Sequence, residues 1–156
     1  MRFVGKYGLA LLVGMLSLVS CQQDYQSNVP DYPVRFDMDI QSYILLSPRY
    51  DPHFTLDGGF QTRVYTEKIT INEYLGYSGL LIWVDVMPQY RAADLCCPHC
   101  LKRDVPVHVD GIYAVCPLCG EQYDLINMAF PTKGISDQPL RHYDVSYKDG
   151  RLSVRH

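Results

Sequence analysis

Five cysteines fall within 24 residues of one another, and their spacing is typical of a metal site. They are Cys96, Cys97, Cys100, Cys116 and Cys119. Two turns read Cys-Pro-x-Cys, at 97–100 and 116–119, with fifteen residues between them. In such a turn proline fixes one backbone dihedral, and backbone N–H groups can point at the thiolate sulfurs. Two such turns side by side can place four ligands around one centre.

Disulfides are the alternative use of these thiols, because a compartment outside the cytoplasm permits them. However, five is an odd number, and the adjacent Cys96 and Cys97 are poorly placed to bond to each other. The spacing therefore favours a metal. One ligand set, Cys97-x2-Cys100-x15-Cys116-x2-Cys119, has the spacing of a closed, tetrahedral four-cysteine zinc ribbon. The other replaces Cys100 with His99, and spacing alone does not choose between them because they share three ligands.

The residues around both turns resemble the Rieske iron–sulfur family. From Cys116 the chain reads Cys-Pro-Leu-Cys-Gly-Glu-Gln-Tyr-Asp-Leu, where Rieske domains commonly read Cys-Pro-x-His-Gly-Ser-x-Phe/Tyr-Asp. The stretch 90–94 before the first turn, the Pro-Leu at 139–140 and the closing 143–154 segment are also similar. The resemblance covers about Gly79 to Val154, and more weakly Pro33 to Gly59.

This resemblance implies a [2Fe–2S] cluster, with Cys97 and Cys116 on the inner iron. His99 and Cys119 would hold the outer iron, and Cys100 is the alternative fourth ligand. Cys119 stands where the family has its second histidine, so the added thiolate charge would lower the reduction potential. The family implies a function as an electron carrier or redox subunit, which passes electrons to a redox partner protein and is not an enzyme on its own.

Three further positions near the turns bear on the resemblance. Glu121 replaces a serine whose hydroxyl can bond to the cluster. Leu118 stands where respiratory members have a disulfide cysteine. Tyr123 matches a position whose hydroxyl can donate to a ligand sulfur. The sequence therefore keeps part of the expected surroundings of a cluster and changes the rest.

The first 21 residues have the order of a bacterial lipoprotein signal. Arg2 and Lys6 precede an apolar run, and Leu18-Val19-Ser20-Cys21 resembles a lipobox. We expect a signal peptide over 1–20, acylation of Cys21, a polar tether over 21–31 and a folded domain over 32–156. The membrane-anchored domain would face the periplasm or the cell exterior.

The signal lacks paired arginines, which favours export of an unfolded chain that arrives without an iron–sulfur cluster. Zn²⁺ outside the cytoplasm could then occupy the cysteine site, so zinc is the alternative cofactor. The alternative function is a structural or metal-free interaction module.

The expected elements are short strands. Alternating apolar residues predict strands at 34–40, 105–109, 143–147 and 152–154, and a continuous apolar run predicts a buried strand at 79–86. Strands are also expected at 60–66 and 90–95, and turns at Asp110-Gly111 and 148–150, while 47–59 reads as a loop. The predicted fold is all-β, a Rieske-like small β-sandwich or barrel with a two-loop metal-binding subdomain.

The remaining residues indicate neither catalysis nor nucleic-acid binding. The net charge of −3 comes without a basic stripe, which disfavours a nucleic-acid partner. No catalytic triad or phosphate-binding glycine loop is present. Asp94 and Asp124 are expected to cap turns, and Trp83 to lie in the core. Four histidines are expected to be solvated or to pack: His53, His108, His142 and His156.

Overall fold

The computed structural model describes residues 27–39, 54–57, 60–68, 70–85 and 89–156. Within those ranges the chain forms twelve strands and no helix, which confirms the all-β prediction. The strands are β1 (Val34–Asp39), β2 (Phe54–Asp57), β3 (Phe60–Tyr65), β4 (Tyr74–Leu75), β5 (Leu80–Val84), β6 (Tyr90–Asp94), β7 (His108–Asp110), β8 (Tyr113–Val115), β9 (Gln122–Asp124), β10 (Phe130–Lys133), β11 (His142–Lys148) and β12 (Arg151–Arg155).

Eight strands form the larger sheet, in the order β2-β3-β5-β6-β11-β12-β1-β4. The pairings are antiparallel. Phe36 of β1 and Val154 of β12 share one buried cluster with Leu80 and Ile82 of β5. β6 and β11 separate β5 from the β12–β1 pair in the sheet order, so the sheet curls and packs one face onto itself. Leu80 and Ile82 face this cluster, whereas Leu81 and Trp83 belong to a second buried cluster. All four residues 80–83 are therefore buried, as the continuous apolar run predicts.

Four short strands form a second sheet, in the order β10-β9-β8-β7. Ala114 of β8 and Tyr123 of β9 are buried in one cluster with Leu81, Trp83 and Ala93 of the larger sheet. The small sheet is therefore packed against the large one. Cys97 and Cys116 belong to the same buried cluster, so the two cysteine turns lie beside this junction. The expected two-loop subdomain is present.

Two predicted turns are confirmed and follow hairpin geometry. Lys148 pairs with Arg151 across the β11–β12 turn, where Asp149 and Gly150 have φ of 52° and 80°. Positive φ at both central residues is characteristic of a type I′ turn, whose twist matches that of the flanking strands. The β7–β8 turn contains Gly111 with φ of 59°. These turns set the register of the strands on either side.

The loop predicted over 47–59 is wrong at 54–57, where β2 pairs antiparallel with β3. β2 lies at the edge of the sheet and has only four residues. So short a segment beside two glycines gives little alternation of apolar and polar residues from which to predict a strand. The strand predicted over 105–109 is shorter and begins at His108. Strands β9 and β10 were not expected. Cys21, Ile40, His53 and residues 47–53 lie outside the described residues.

In the described part of the chain, no helix is long and apolar enough to cross a bilayer.

The end of the expected tether contacts the folded domain. Val29 is 2% exposed, and its carbonyl oxygen accepts a hydrogen bond from Arg141 at 2.9 Å. The chain is therefore already packed against the body of the domain by residue 29.

Candidate metal centre

The two cysteine turns have the same backbone design. The N–H of Leu101 donates to the carbonyl oxygen of Cys97, and the N–H of Gly120 donates to that of Cys116, both at 2.9 Å. Leu101 and Gly120 also share positive φ values, 52° and 72°. Each turn thus brings its two cysteines to one side of a closed loop. One turn follows β6, and the other connects β8 to β9.

The two turns bring four sulfur atoms together. The Sγ atoms of Cys97, Cys100, Cys116 and Cys119 all lie within 4.8 Å of one another. Across the turns, Cys97 lies 3.7 Å from Cys119, and Cys116 lies 3.8 Å from Cys100. All five of the described cysteines are free thiols. The sulfurs therefore lie close together without being bonded to one another.

These sulfur separations fit a single tetrahedral ion. Four sulfurs at about 2.3 Å from one metal, the usual zinc–thiolate length, lie about 3.8 Å apart along each tetrahedral edge. The two separations across the turns agree with that edge, and none of the six separations exceeds 4.8 Å. In a [2Fe–2S] cluster the ligands are divided between two irons, so ligands on opposite irons lie farther apart than ligands on one ion. The donor set thus fits one soft, thiolate-preferring ion.

His99 and Cys96 lie outside this four-sulfur set. The His99 ring is exposed, and its Nδ1 lies 3.9 Å from the sulfur of Cys100. Cys96 is fully buried, and its sulfur lies 3.6 Å from the carbonyl oxygen of Cys97. Burial raises the pKa of the Cys96 thiol to about 11, which keeps it protonated. Of the two ligand sets suggested by spacing, the structure brings together the one that contains Cys100.

The cysteine environments differ in how readily they release a proton. For Cys116, desolvation opposes ionisation, but the backbone N–H groups of Cys119 and Leu118 donate to the sulfur and lower the thiol pKa. Desolvation is the largest cause that raises the pKa of Cys119 to about 11, although the backbone N–H of Glu121 donates to this sulfur and lowers the pKa. Desolvation, and then the neighbouring sulfurs of Cys119 and Cys116, raise the pKa of Cys100 further still. Desolvation comes first in the two raised pKa values, and the crowding of sulfurs adds to it, because thiolates that share one site repel one another until a cation neutralises them.

Asp94 fixes the start of the first turn from inside the protein. Its fully buried carboxylate accepts hydrogen bonds from the backbone N–H of Tyr77, Ser78 and Cys96 at 2.6, 3.1 and 2.7 Å. The Tyr143 hydroxyl donates a fourth, at 2.6 Å. The predicted capping role of Asp94 is therefore present and connects three segments. Asp124 caps more simply, by accepting from the N–H of Ile126 at 2.9 Å.

Glu121 is a buried carboxylate beside the second turn. Its Oε1 accepts from the backbone N–H groups of Ile135 and Ser136 at 2.8 and 2.6 Å, and its Oε2 accepts from the Tyr123 hydroxyl at 2.6 Å. Burial opposes its ionisation, but these three donors outweigh burial and lower the Glu121 pKa. The Tyr123 oxygen also lies 3.2 Å from the sulfur of Cys97. The sequence marked Glu121 only as a departure from serine and gave no sign of its partners.

The other singled-out residues occupy structural positions. Trp83 is buried and packs against His142, with ring centroids 5.8 Å apart. His142 also bonds to the carbonyl oxygen of Met128 at 2.8 Å, and burial lowers its pKa. His108 is exposed, as expected. Leu118 is 57% exposed at the tip of the second turn, so an apolar side chain projects into solvent beside the exposed Cys119.

The chain has distant structural similarity to two solved chains, both from ferredoxin or oxygenase systems. No family model matches the chain, and no curated protein matches it. A chain in the complex of reduced oxygenase and oxidised ferredoxin in carbazole 1,9a-dioxygenase matches 60% of this chain and 86% of its own length, at 20% identity and a TM-score of 0.39. The Sphingomonas yanoikuyae B1 ferredoxin matches 56% and 80%, at 19% identity and a TM-score of 0.38. At these values the chain is only distantly similar in structure to both.

Proposed function

We propose that this chain is a membrane-anchored metalloprotein domain in which four cysteines hold one tetrahedral Zn²⁺. The observation that carries the proposal is the group of four sulfurs, Cys97, Cys100, Cys116 and Cys119, within 4.8 Å of one another. When bound, the ion supplies a closed, redox-inert centre that joins the two turns. The turns then present a rigid tip, with Leu101 and Leu118 exposed, for contact with another molecule.

The role of the chain's own residues is to hold the turns ready for the ion. Asp94 fixes the backbone before the first turn, and Glu121 connects the second turn to residues 135–136. The matched backbone hydrogen bonds of Leu101 and Gly120 shape each turn. Such outer contacts orient metal ligands and commonly account for a large part of metal affinity. In this arrangement the metal stabilises an interaction surface.

The second candidate is an electron-transfer function through a [2Fe–2S] cluster held by Cys97, His99, Cys116 and Cys119. The observation that favours it is the Tyr123 hydroxyl, 3.2 Å from the Cys97 sulfur. The Rieske resemblance expects a hydroxyl at this position. His99 and Cys119 are both exposed, which suits transfer of electrons at a protein surface. This candidate needs the first turn to rearrange so that His99 replaces Cys100 beside the other ligands.

Elemental analysis of the purified full-length protein separates the two candidates. The zinc proposal predicts one zinc per chain, no acid-labile sulfide and no visible absorption. Two irons and two sulfides per chain, with an EPR signal on reduction, would establish the cluster instead. Protein that contains no metal after anaerobic purification, and takes up none when zinc is added, would contradict both candidates and leave a metal-free interaction module.

We also propose that acylation of Cys21 anchors the domain to a membrane, facing the periplasm or cell exterior. The support is the residue order of the first 21 residues. Two or three acyl chains hold a protein at a bilayer stably, whereas one is marginal. The wild-type protein should incorporate a labelled fatty acid during growth, and Cys21→Ser should not. A wild-type protein without this label, or a label that persists after the change, would contradict lipid anchoring at Cys21.

A further inference from the structure

Glu121 is a buried carboxylate whose two oxygens have separate tasks. The side chain is 1% exposed. Oε1 faces the backbone N–H groups of Ile135 and Ser136, while Oε2 faces the Tyr123 hydroxyl and lies 4.0 Å from the Cys97 sulfur. Gly134, with φ of 127°, lets this loop come close, because a Cβ there would overlap Cγ of Glu121. The loop therefore fixes which oxygen faces the metal turn.

The Tyr123 hydroxyl has one hydrogen and two neighbours that could accept it. Oε2 of Glu121 lies at 2.6 Å and the Cys97 sulfur at 3.2 Å. A short O–H···O bond to a carboxylate is among the stronger hydrogen bonds in proteins, whereas sulfur is a weak acceptor. The hydrogen therefore lies on the side of Glu121. A metal-bound Cys97 thiolate carries no proton, so it cannot donate to the tyrosine oxygen either.

We propose that Glu121 is a positioning residue that takes the Tyr123 hydrogen bond away from the Cys97 sulfur. The sulfur then keeps its full electron-donating strength toward the metal, because no hydroxyl draws on its lone pairs. The inference deepens the proposed function and rests on the four-cysteine centre. It also gives a physical meaning to the serine-to-glutamate departure in the sequence: the carboxylate competes with the sulfur for the donor.

Glu121→Gln reverses the hydrogen bond in a defined way. The N–H groups of Ile135 and Ser136 require an acceptor, so the amide oxygen must occupy the Oε1 position. The amide nitrogen then faces Tyr123 and donates to its oxygen. The tyrosine hydrogen is thereby released toward Cys97. Glutamine has nearly the same shape as glutamate, so the change alters hydrogen bonding and charge with little change in packing.

Cobalt(II) loaded into the full-length protein reports the sulfur's donor strength through its thiolate-to-metal charge-transfer bands. A hydrogen bond to sulfur stabilises the lone pairs and moves these bands to shorter wavelength. We expect Glu121→Gln to produce this shift, Tyr123→Phe alone to leave the bands in place, and the double variant Glu121→Gln/Tyr123→Phe to return them to the wild-type position. The double variant separates a redirected hydrogen bond from simple loss of charge.

The cobalt spectra distinguish failure of the four-cysteine centre from failure of the inference about Glu121. If the wild-type protein shows no cobalt–thiolate bands, the four-cysteine centre itself is wrong. If it does, three results overturn the inference: no shift in Glu121→Gln, a shift that persists in the double variant, or a shift to longer wavelength in Tyr123→Phe alone. Should Glu121→Gln fail to fold, Tyr123→Phe alone still decides, because an unchanged spectrum supports the inference and a longer-wavelength shift contradicts it.

Discussion

At the scale of single residues, the centre depends on which side chain is the fourth ligand. Sequence spacing reduced the choice to His99 or Cys100 without deciding between them, because both lie in one short turn. The decision requires side-chain positions in space, and these place the Cys100 sulfur 3.8 Å from that of Cys116. Three of the four grouped cysteines could thus be predicted from spacing as shared by both ligand sets, and the place of Cys100 in the group could not.

Alanine substitutions at three neighbouring positions test the ligand set. We expect Cys100→Ala to reduce zinc affinity at least about 100-fold, since a closed tetrahedral site then loses one of four thiolates. His99→Ala should retain zinc, and Cys96→Ala is the matched control, because its sulfur lies outside the group. Affinity is measured by competition with a chromophoric chelator. Loss of metal in His99→Ala with retention in Cys100→Ala would reverse the assignment.

Asp94 gives a prediction for stability. Asp94→Asn removes an acceptor oxygen from a site with four donors, and an amide cannot satisfy all of them. The free energy of unfolding should fall by about 2–4 kcal/mol, the range for a buried donor left without a partner and a disrupted buried network. Asp124→Asn, at an exposed turn, is the control and should change it by about 0.5 kcal/mol or less. Urea denaturation of zinc-loaded protein provides both values. Equal effects at both positions would contradict the role of Asp94.

At the scale of elements, the predicted strands are those with clear alternation or a long apolar run. β9 has only three residues, and its sequence forms part of the cysteine motif. β10 contains Pro131, which argues against a strand. It is tolerated because β10 is at the edge of the small sheet and its register shifts between Pro131 and Lys133. Edge position is a property of the whole sheet, so local sequence patterns do not reveal it.

Alanine substitutions at two glycines distinguish the effect of a steric clash on stability from the effect of backbone strain. Gly134→Ala should destabilise the zinc-loaded protein by about 3 kcal/mol or more, because positive φ adds to a clash with Glu121. Gly120→Ala is the matched control: it also has positive φ, but a Cβ there meets nothing within 4 Å. Its effect should be the strain alone, about 1 kcal/mol. The shift of the thermal unfolding midpoint in each variant reports its loss of stability. A Gly134→Ala effect no larger than that of Gly120→Ala would show that the 134–136 loop is not held against Glu121.

At the scale of the whole molecule, different buried clusters stabilise the two sheets. The eight-stranded sheet encloses its own buried cluster, which includes Phe36, Tyr65 and Tyr143. The small sheet has four short strands, and its buried cluster includes Cys97 and Cys116 of the four-sulfur group. The all-β class followed from the sequence. The packing of one sheet on the other did not, because it depends on contacts between residues far apart along the chain.

Removal of the metal should therefore affect the two sheets unequally. After chelation at neutral pH, we expect the far-ultraviolet spectrum to remain that of a β protein. Amide hydrogen exchange should quicken around the two cysteine turns and in strands β8 and β9, where the thiolate site is coupled to local structure. The β11–β12 hairpin is the internal control and should exchange at its original rate. Uniform acceleration, or none, would show that the metal does not stabilise this sheet selectively.

X-ray absorption at the zinc edge of the purified full-length protein identifies the atoms bound to the metal. A four-cysteine zinc centre gives four sulfur scatterers at about 2.3 Å and no nitrogen scatterer. A shell with imidazole nitrogen at about 2.0–2.1 Å, or fewer than four sulfurs, would contradict the four-cysteine centre. Iron as the bound metal, with a second iron scattering nearby, would contradict the single-ion account and favour the [2Fe–2S] alternative.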